Sequence, residues 1–354
     1  MTRILGIETS CDETSAAVVE DGMWQHSNII ASQIDLHAQY GGVFPEVAAR
    51  AHVEVIGVVV EAALDEARVT LNDIDAIAVT QGPGLVGSLL VGMNYAKGLA
   101  LAAQKPLMGI NHLEGHIYSL WVNAESPIEF PVISLIVSGG HTELLLMTGH
   151  GAYEKLGGTI DDAAGEAFDK VGRLLQLPYP GGPSIQRSSE DGNPTAYDFP
   201  RALLDGSYDF SFSGLKTSVM RAVRPSQKGR KRKAGEESLT EGEMRAGLSI
   251  PDVAASFQTA VVDVLVTKTI QAAREYGATE ILMSGGVSAN RLLREQMQVS
   301  SPVPVRYPAL TLCTDNAAMI ATAGYFRFEG GQRDDFTLDV RPTWYLDELT
   351  PMHS

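Results

Sequence analysis

Three apolar, β-rich segments of this chain each end directly in a polar turn, and the three recur at wide spacing. They read IETSCDETS from Ile7, VSGGHTE from Val137 and MSGGVSAN from Met283. Short strand patterns alternate with helical patterns around them, and this alternation is typical of α/β folds. Because a β-hairpin start, Gly-rich turns and later helices occur in both halves, we predict an internal duplication.

The periodicity of apolar residues places the elements of each half. The first half is predicted to hold strands at 3–9, 15–20, 23–31, 75–80 and 106–110 and helices at 45–67 and 88–103. The second half is predicted to hold strands at 131–137, 142–148 and 280–283 and helices at 160–175, 251–276, 289–297 and 315–328. We therefore expect a first subdomain over residues 1–110, completed by 315–354, and a second over 111–314.

Charge and cysteine content exclude several classes of protein. The chain has 27 Lys and Arg against 43 Asp and Glu, a formal net charge of −16, which argues against a generic polyanion binder. Two cysteines exclude a disulfide framework and a four-cysteine zinc site. The first residues become acidic before a signal-length apolar core develops, and no stretch approaches about 20 apolar residues. We therefore expect a cytoplasmic protein that does not associate with membranes.

One segment does not fit the repeating pattern. Residues 225–247 (PSQKGRKRKAGEESLTEGEMRAG) combine a basic block with a following acidic block. This composition predicts a solvated loop or a disordered, charged insertion in the second subdomain. The alternative is that the basic run 228–233 contacts RNA phosphates.

The two Gly-rich turns are candidates for binding a phosphate or a ribose. Glycines at strand ends expose backbone N–H groups and leave no Cβ in the way of a ligand. Neither turn has the spacing of a P-loop or of a dinucleotide-binding fingerprint. A tight turn without a ligand explains either one alone, but two such turns together favour nucleotide binding.

The motif NHLEGH is a candidate metal site. His112 and His116 are spaced i, i+4, which places both imidazoles on one face of a helix. In the metalloprotease motif H-E-x-x-H the Glu follows the first His directly, whereas here Leu113 takes that place and Glu114 comes next. The best candidate for a third ligand is Asp315, although an Asp before a helix can also be an N-cap.

Two groups of carboxylates are further candidates. Asp12 and Glu13 lie in a turn between two predicted strands, where they could face solvent or act as a general base. Asp162, Glu166 and Asp169 are spaced to lie along one side of the predicted helix 160–175, where their like charges would repel.

Eight sequence blocks occur together and in order. They are GIETSCDETSAAVV, NHLEGHIYS, VSGGHTELL, DDAAGEAFDKVGRLL, YPGGPSI, FSFSGLKT, SGGVSANRLLRE and CTDNAAMIA. In these blocks the chain closely resembles the TsaD/Gcp family, bacterial tRNA N6-adenosine threonylcarbamoyltransferases. The resemblance extends from Ile4 to about Thr343, and its main departure is the segment 225–247, which is longer and more charged than the family's connection.

The resemblance implies a fold, an activity and a metal. The fold is the duplicated actin/Hsp70/sugar-kinase (ASKHA-type) architecture, with two related subdomains around a central cleft. The activity is transfer of a threonylcarbamoyl group from threonylcarbamoyl-AMP to N6 of adenosine 37 in tRNAs that read ANN codons. His112, His116 and Asp315 would hold one divalent metal, Fe²⁺ ahead of Zn²⁺, and ATP or another adenine nucleotide is an alternative occupant of the cleft.

The resemblance also implies roles for other residues. Asp12 and Glu13 would have a catalytic or positioning role beside the transferred group. His141 would flank the metal and phosphate region, and Glu166 is a further candidate. The substrate would be bound by Ile136, Val137, Ser138, Gly139, Gly140, Asp169, Gly182 and Asn290.

The implied partners are the anticodon loop of tRNA, TsaB-like and TsaE-like proteins and an upstream threonylcarbamoyl-AMP synthase. Three other functions stay open from the residues alone. They are a metallopeptidase, a small-molecule kinase of the same superfamily and a nucleotide-gated interaction protein. The displaced Glu114 argues against the peptidase, and a His₂Asp metal site has no evident role in the kinase.

Overall fold

The computed structural model describes residues 1–202, 204, 206–224, 244–245 and 247–352, and it contains two five-stranded mixed sheets. The strands of the first sheet are β1 (Arg3–Glu8), β2 (Glu13–Glu20), β3 (Trp24–Ser32), β4 (Ala76–Gly82) and β5 (Leu107–Asn111). Those of the second are β6 (Val132–Val137), β7 (Thr142–Gly149), β8 (Ala152–Gly158), β9 (Glu280–Ser284) and β10 (Val305–Arg306).

The two sheets have the same topology. The first has the order β3-β2-β1-β4-β5, and the second has the corresponding order β8-β7-β6-β9-β10. In each, the opening three strands pair antiparallel and the remaining strands add in parallel to the first. The predicted α/β fold with an internal duplication is therefore confirmed.

Ten α-helices cover and separate the sheets in the described part of the chain. They are α1 (Ile34–Ala38), α2 (Pro45–Ala67), α3 (Val86–Ala103), α4 (His112–Tyr118), α5 (Ala164–Leu174), α6 (Gly181–Ser189), α7 (Ser213–Val223), α8 (Ile250–Glu275), α9 (Arg291–Ser300) and α10 (Ala317–Glu329). Helices α2 and α3 cover one face of the first sheet, and α5 to α8 cover the second sheet. Between the sheets lie α4 and α10, which share one apolar core with a face of each sheet.

The alternation of side chains along the central strands explains this layering. In β1, Ile4 faces the core between the sheets, while Leu5 and Ile7 face the core under α2 and α3. In β6, Ile136 faces the core between the sheets and Val137 faces the opposite core. Both faces of these strands are therefore buried, as a strand between two helical layers requires.

The C-terminal helix α10 packs against β1, β2 and β4. This contact supports assigning the C-terminal segment to the first subdomain, and the limits 1–110 and 111–314 stay a prediction. Of the proposed insertion 225–247, residues 225–243 and 246 lie outside the described residues.

One predicted helix begins later than its periodicity indicates. The prediction of 160–175 is wrong at its start, because the helix begins at Ala164. Thr159 instead forms an isolated β-bridge with Phe210, and the Ile160 N–H donates to the Phe210 carbonyl at 3.0 Å. This long-range pairing holds the segment extended, and apolar periodicity does not register such a partner.

Two helices, α3 and α8, are long and apolar enough to cross a membrane by length and composition alone, which the sequence analysis did not expect. The apolar window of α8 is 83% buried inside the protein, whereas that of α3 is 33% buried. The apolar character of α8 therefore follows from its place in the core.

Candidate metal centre and substrate cleft

The motifs singled out from the sequence come together where the strands of both sheets end. β1 leads into the acidic loop (residues 10–14), β5 leads into α4, and β6 and β9 lead into the two Gly-rich turns. In α/β sheets, ligands bind in crevices outside the carboxyl ends of the strands.

The two predicted histidine ligands lie on one face of α4. The side chain of Asn111 caps this helix by accepting from the N–H groups of Leu113, at 2.8 Å, and Glu114, at 3.3 Å. The helix therefore begins at His112, and the imidazole of His116 lies one turn further on. The two ring centroids are 4.7 Å apart, and both residues are buried.

Asp315 completes the cluster from the start of α10. Its Oδ1 lies 3.5 Å from Nε2 of His112 and 3.2 Å from Nε2 of His116. One ligand atom from each of the three residues lies within 4.8 Å of the other two. The N-cap of α10 is Asn316, whose side chain accepts from the Met319 N–H, so capping does not explain Asp315.

The charges of the three residues are strongly coupled. Burial alone would raise the pKa of the Asp315 carboxyl, but the adjacent His112 and His116 hold it well below its ordinary value. Burial alone would lower the pKa of His112, but the carboxylates of Asp315 and Glu8 raise it well above its ordinary value. A cation bound between these groups would replace the proton on His112.

Glu8 also belongs to the candidate site, although no sequence motif indicated it. It is fully buried at the end of β1, and its Oε2 lies 3.0 Å from Nδ1 of His112 and accepts from the Thr80 hydroxyl at 2.6 Å. A carboxylate on one imidazole nitrogen orients the ring and leaves the other nitrogen free for a metal. A glutamate that ends an otherwise apolar strand, GIE in the sequence, is the signal that could have identified it.

The residues present fit a divalent metal. Nδ1 of His116 has no hydrogen-bond partner among the described residues, and Nε2 has none besides the 3.2 Å approach of Asp315, although both atoms are buried. Buried polar atoms without partners are costly, and a metal would satisfy the Nε2 that faces Asp315. Two imidazoles and a carboxylate suit Fe²⁺ and Zn²⁺ equally well as donors.

The acidic loop lies beside this cluster. Burial and the nearby Asp315 and Asp12 raise the pKa of the Glu13 carboxyl to about 10. The Ser32 hydroxyl donates to Glu13 at 3.2 Å. Burial and the same carboxylates raise the pKa of the Cys11 thiol, so a reactive thiolate is disfavoured. The structure thus concentrates negative charge in this corner of the cleft, where a cation is favourable.

The first Gly-rich turn opens to the cleft. Gly139 and Gly140 are exposed, and a Cβ at either position would meet only open space. The turn is held by the start of α5, because the Gly165 N–H donates to the Ser138 carbonyl at 3.1 Å. A Cβ on Gly165 would come within 2.5 Å of that carbonyl oxygen, so only glycine allows this contact.

The other residues implied in substrate binding differ in what they present. Asp169 is half-buried and accepts from the Gly181 N–H at 2.7 Å, and a Cβ on Gly182 would meet open space. Burial, first, and the carboxylates of Asp12 and Glu166 oppose ionisation of Asp169 and raise its pKa. Asp12 and Asp169 are therefore close enough to interact electrostatically.

Three residues of the implied set do not present free side chains to the cleft. Ile136 and Val137 are fully buried in opposite cores. Asn290 is also buried: it caps α9 by accepting from the Leu293 N–H at 3.0 Å and donates to Gln258 at 2.8 Å. Any contact of these residues with a substrate in this conformation is through the backbone.

The predicted repulsion between carboxylates along α5 is present between Glu166 and Asp169, where it adds to burial in raising the pKa of Asp169, but lysines offset the charges of Asp162 and Glu166. Asp162 precedes the helix, and it accepts from Lys170 at 2.7 Å and from Lys216 at 2.9 Å. Glu166 also pairs with Lys170 at 2.7 Å, and its side chain is 45% exposed. Two lysines therefore offset these charges.

His141 lies beside the three candidate metal ligands, His112, His116 and Asp315. Burial and the neighbouring His112 and His116 lower its pKa to about 4, so the ring is neutral at physiological pH. Its backbone helps to close the Gly-rich turn, because the Ser138 N–H donates to the His141 carbonyl at 2.8 Å.

Glu114 has a structural role. It is 1% exposed and forms a two-pronged ion pair with Arg327 of α10, with N–O distances of 2.7 and 2.9 Å. The Tyr153 hydroxyl also donates to it at 2.8 Å. A carboxylate committed in this way is not available as the general base of a metallopeptidase.

Comparison with known proteins gives consistent matches along the chain. The sequence profile of a family described as "tRNA N6-adenosine threonylcarbamoyltransferase" (TsaD) matches residues 26–322. A protein of that name from Thermomicrobium roseum is 57% identical over 346 residues, 95% of each chain. Another from Dehalococcoides mccartyi is 55% identical over 340 residues, 96% of this chain and 98% of the relative.

Solved structures show the fold independently. The crystal structure of HypF from T. kodakarensis matches with a TM-score of 0.61 at 16% identity, and the match covers 93% of this chain and 48% of HypF. At this identity the likeness concerns the fold alone, and it agrees with the duplicated ASKHA-type architecture expected from the sequence.

Proposed function

Since the chain belongs to the TsaD family of tRNA N6-adenosine threonylcarbamoyltransferases, we propose that its donor is threonylcarbamoyl-AMP and its acceptor is N6 of adenosine 37 in tRNAs reading ANN codons. As a member it is a transferase that forms t6A in tRNA. The observation that carries the finer proposal is the His112, His116 and Asp315 cluster beside the acidic loop.

The reaction forms a bond between N6 and the carbamoyl carbon and breaks the bond between that carbon and the phosphate oxygen, so AMP leaves. N6 loses a proton, and of the two carboxyl groups of the acidic loop Asp12 is the one that accepts it, because a pKa of about 10 keeps Glu13 protonated at neutral pH. The turn at Gly139 and Gly140, together with Gly182, lets the AMP moiety approach the backbone closely. Asp169 faces the same space from α5, and ATP or another adenine nucleotide would use the same contacts.

His112, His116 and Asp315 would hold one divalent metal, Fe²⁺ or Zn²⁺. Bound there, the metal would supply Lewis-acid polarisation of the carbamoyl carbonyl or of a phosphate oxygen. Glu8 holds the ring of His112 in the orientation that such a site needs. The target adenosine must be unstacked, which costs little in an anticodon loop.

The direct test is mass spectrometry of tRNA nucleosides after incubation with threonine, bicarbonate, ATP, an upstream threonylcarbamoyl-AMP synthase and TsaB-like and TsaE-like proteins. A tRNA with guanosine at position 37 is the matched control, and the T. roseum relative validates the mixture. We expect t6A only in the tRNA with adenosine 37. Absence of t6A with this chain, while the relative produces it, would overturn the proposal.

The need for a TsaB-like subunit is also a proposal, and exposed apolar side chains on α2 and α3 support it. Val53 and Val58 are 63% and 69% exposed, and Leu90 of α3 lines the same groove. We expect Val53→Glu with Val58→Glu to abolish co-elution with that subunit in size-exclusion chromatography. Val299→Glu, at an exposed position of α9, is the control. Unchanged co-elution of the double variant would exclude this face.

We propose a cytoplasmic location, where the tRNA substrate is found.

A further inference from the structure

A line of buried polar side chains lies behind the acidic loop. It consists of His52 on α2, Gln33 after β3 and His37 on α1, which are between 0% and 7% exposed. Their contacts run from the connection between α1 and α2 to the backbone of Cys11 and Asp12. Nothing in the proposed chemistry uses these three residues directly.

The hydrogen bonds of this network have a defined direction. Nε2 of His52 lies 3.0 Å from the Cys11 carbonyl oxygen, which only accepts, so this nitrogen carries the proton. Nδ1 therefore accepts, from the Thr14 hydroxyl at 2.7 Å and from Nε2 of Gln33 at 3.4 Å. Burial lowers the pKa of His52, which agrees with a neutral ring. The Ser88 hydroxyl also approaches the Cys11 carbonyl, at 3.4 Å.

The hydrogen bonds of His37 and Gln33 continue the network from the connection between α1 and α2 to the acidic loop. The Phe44 N–H donates to Nδ1 of His37 at 3.3 Å, and Nε2 of His37 donates to Oε1 of Gln33 at 3.1 Å. The Gln33 backbone N–H donates to the Asp12 carbonyl at 2.9 Å. The acidic loop is thus fixed at three points, the carbonyls of Cys11 and Asp12 and the hydroxyl of Thr14.

The network begins where the two halves of the molecule touch. Gly41, between α1 and α2, accepts a hydrogen bond through its carbonyl from the Arg173 guanidinium of α5. Helix α5 also holds the first Gly-rich turn through Gly165. Helix α5 therefore contacts both the substrate-facing turn of the second half and the connection between α1 and α2 in the first, close to Phe44, where the network begins.

We propose that His52 is a positioning residue, which with Thr14 and Gln33 fixes the backbone of the acidic loop so that Asp12 and Glu13 face the transferred group. The part that concerns catalysis rests on the proposed function. The part that concerns the loop does not, because it follows from the contacts alone.

The proposal predicts different effects from closely similar substitutions. Thr14→Val keeps the shape of the side chain but removes the hydroxyl that His52 Nδ1 accepts from. The matched control is Thr269→Val, which removes a buried hydroxyl that donates to the Leu265 carbonyl at 2.7 Å in α8. His52→Leu removes all three hydrogen-bond contacts of the imidazole, whereas His52→Gln keeps one donor and one acceptor.

Two readouts separate positioning from general destabilisation. The first is t6A formation by the full chain with its partner proteins, in which we expect Thr14→Val to lower kcat by about tenfold with an unchanged KM for tRNA. The second is the rate at which a thiol reagent labels Cys11, since the only other cysteine, Cys313, is fully buried. We expect this labelling to become about tenfold faster in Thr14→Val and His52→Leu. Loss of the label in a Cys11→Ser variant shows that Cys11 is the residue labelled.

His52→Gln and Thr269→Val should keep rates near those of the unmodified chain in both assays. If Thr14→Val and His52→Leu label and react like Thr269→Val, the network does not hold the loop and the inference is wrong. If the unmodified chain forms no t6A, the proposed function fails, and the labelling rates still decide whether the network holds the loop.

Discussion

His112 illustrates how much of this site depends on a residue outside the recognisable motif. The i, i+4 spacing of His112 and His116 predicts a shared helix face, and the structure brings both rings to Asp315. The orientation of His112 depends on Glu8, which is 104 residues away in the chain. Motif spacing reflects local geometry, and it carries no information about a contact between the end of one strand and a distant helix.

We expect Glu8→Gln to weaken metal binding. The amide keeps the size of the side chain but loses the charge that favours the proton on Nδ1 of His112, and such changes typically cost about 10- to 100-fold in metal affinity. Titration of the purified chain with Zn²⁺ measures the effect. Glu20→Gln, at the far end of the β-hairpin where Glu20 pairs with Arg3, is the matched control. Equal affinity in both variants would show that Glu8 does not support the site.

The substrate-binding residues implied by resemblance show that a sequence motif does not tell whether a residue contributes its backbone or its side chain. The open Gly139 and Gly140 agree with an approach of substrate to the backbone, as the Gly-rich pattern suggested. Asn290 and Val137 carry side chains that are committed elsewhere, to a helix cap and to a core. A one-dimensional pattern identifies the turn but does not separate its backbone contribution from its side chains.

Helices α4 and α10 are joined between the sheets by the buried pair of Glu114 and Arg327. We expect Glu114→Gln to lower the free energy of unfolding by about 3–5 kcal/mol, because it leaves a buried guanidinium without its counter-charge. Urea unfolding measures this value. Glu348→Gln breaks the exposed pair with Arg341 and should cost about 0–1 kcal/mol. A small, equal effect in both variants would contradict the structural role of Glu114.

An aromatic cluster joins the turn between β7 and β8 to the same two helices. His150 stacks on Phe326 with ring centroids 4.1 Å apart, and its Nδ1 lies 2.9 Å from the Tyr118 hydroxyl oxygen. Burial lowers the pKa of His150 to about 4 from its ordinary 6.5. The folded state therefore prefers the neutral ring, so this stabilisation is complete above pH 6.5 and is lost as the pH falls towards 4.

We accordingly expect the free energy of unfolding to fall between pH 6.5 and pH 4, and to fall less steeply in His150→Phe. Denaturant unfolding at a series of pH values measures both slopes. His26→Asn, at a half-exposed position, is the control for a general effect of removing a histidine. If the slope of His150→Phe equals that of the unmodified chain, His150 does not titrate in this way.

At the scale of elements, the sequence predicts a helix well where the regular spacing of apolar residues on one face determines it. The predicted helix 45–67 agrees with α2 at both ends. Helices α6 and α7 were not predicted. Helix α6 begins with two glycines, Gly181 and Gly182, which are weak helix formers. At the start of α7 the N–H groups of Phe212 and Ser213 donate to Asp161, which lies about 50 residues earlier in the chain. Caps supplied from distant residues leave no local pattern.

For the whole molecule, the net charge of −16 limits how tRNA is bound. An acidic surface repels phosphates, so we expect the isolated chain to bind tRNA with a Kd of about micromolar or weaker at physiological salt. Partner subunits would then supply or complete the basic surface. Fluorescence anisotropy with labelled tRNA tests this, and nanomolar binding by the chain alone would contradict it.

The internal duplication is predicted by the sequence, because each half repeats the same succession of hairpin, turn and helix, whereas the shared strand order is not, since β8 and β10 of the second half were not predicted. The duplication is also what creates the site, since the ends of β1 and β5 in one half meet those of β6 and β9 in the other. The candidate metal ligands lie at this meeting point, and the third of them, Asp315, comes from the segment just before α10.

The most direct test of this account measures metal content and t6A formation together in Asp315→Asn and in the unmodified chain, with the partner proteins present. Asp315 is 21% exposed on its side chain, so the amide should be accommodated without loss of fold. We predict about one Fe²⁺ or Zn²⁺ per unmodified chain and t6A in its tRNA, with both lost in the variant. An Asp315→Asn protein that kept its metal and still formed t6A at the unmodified rate would contradict the account.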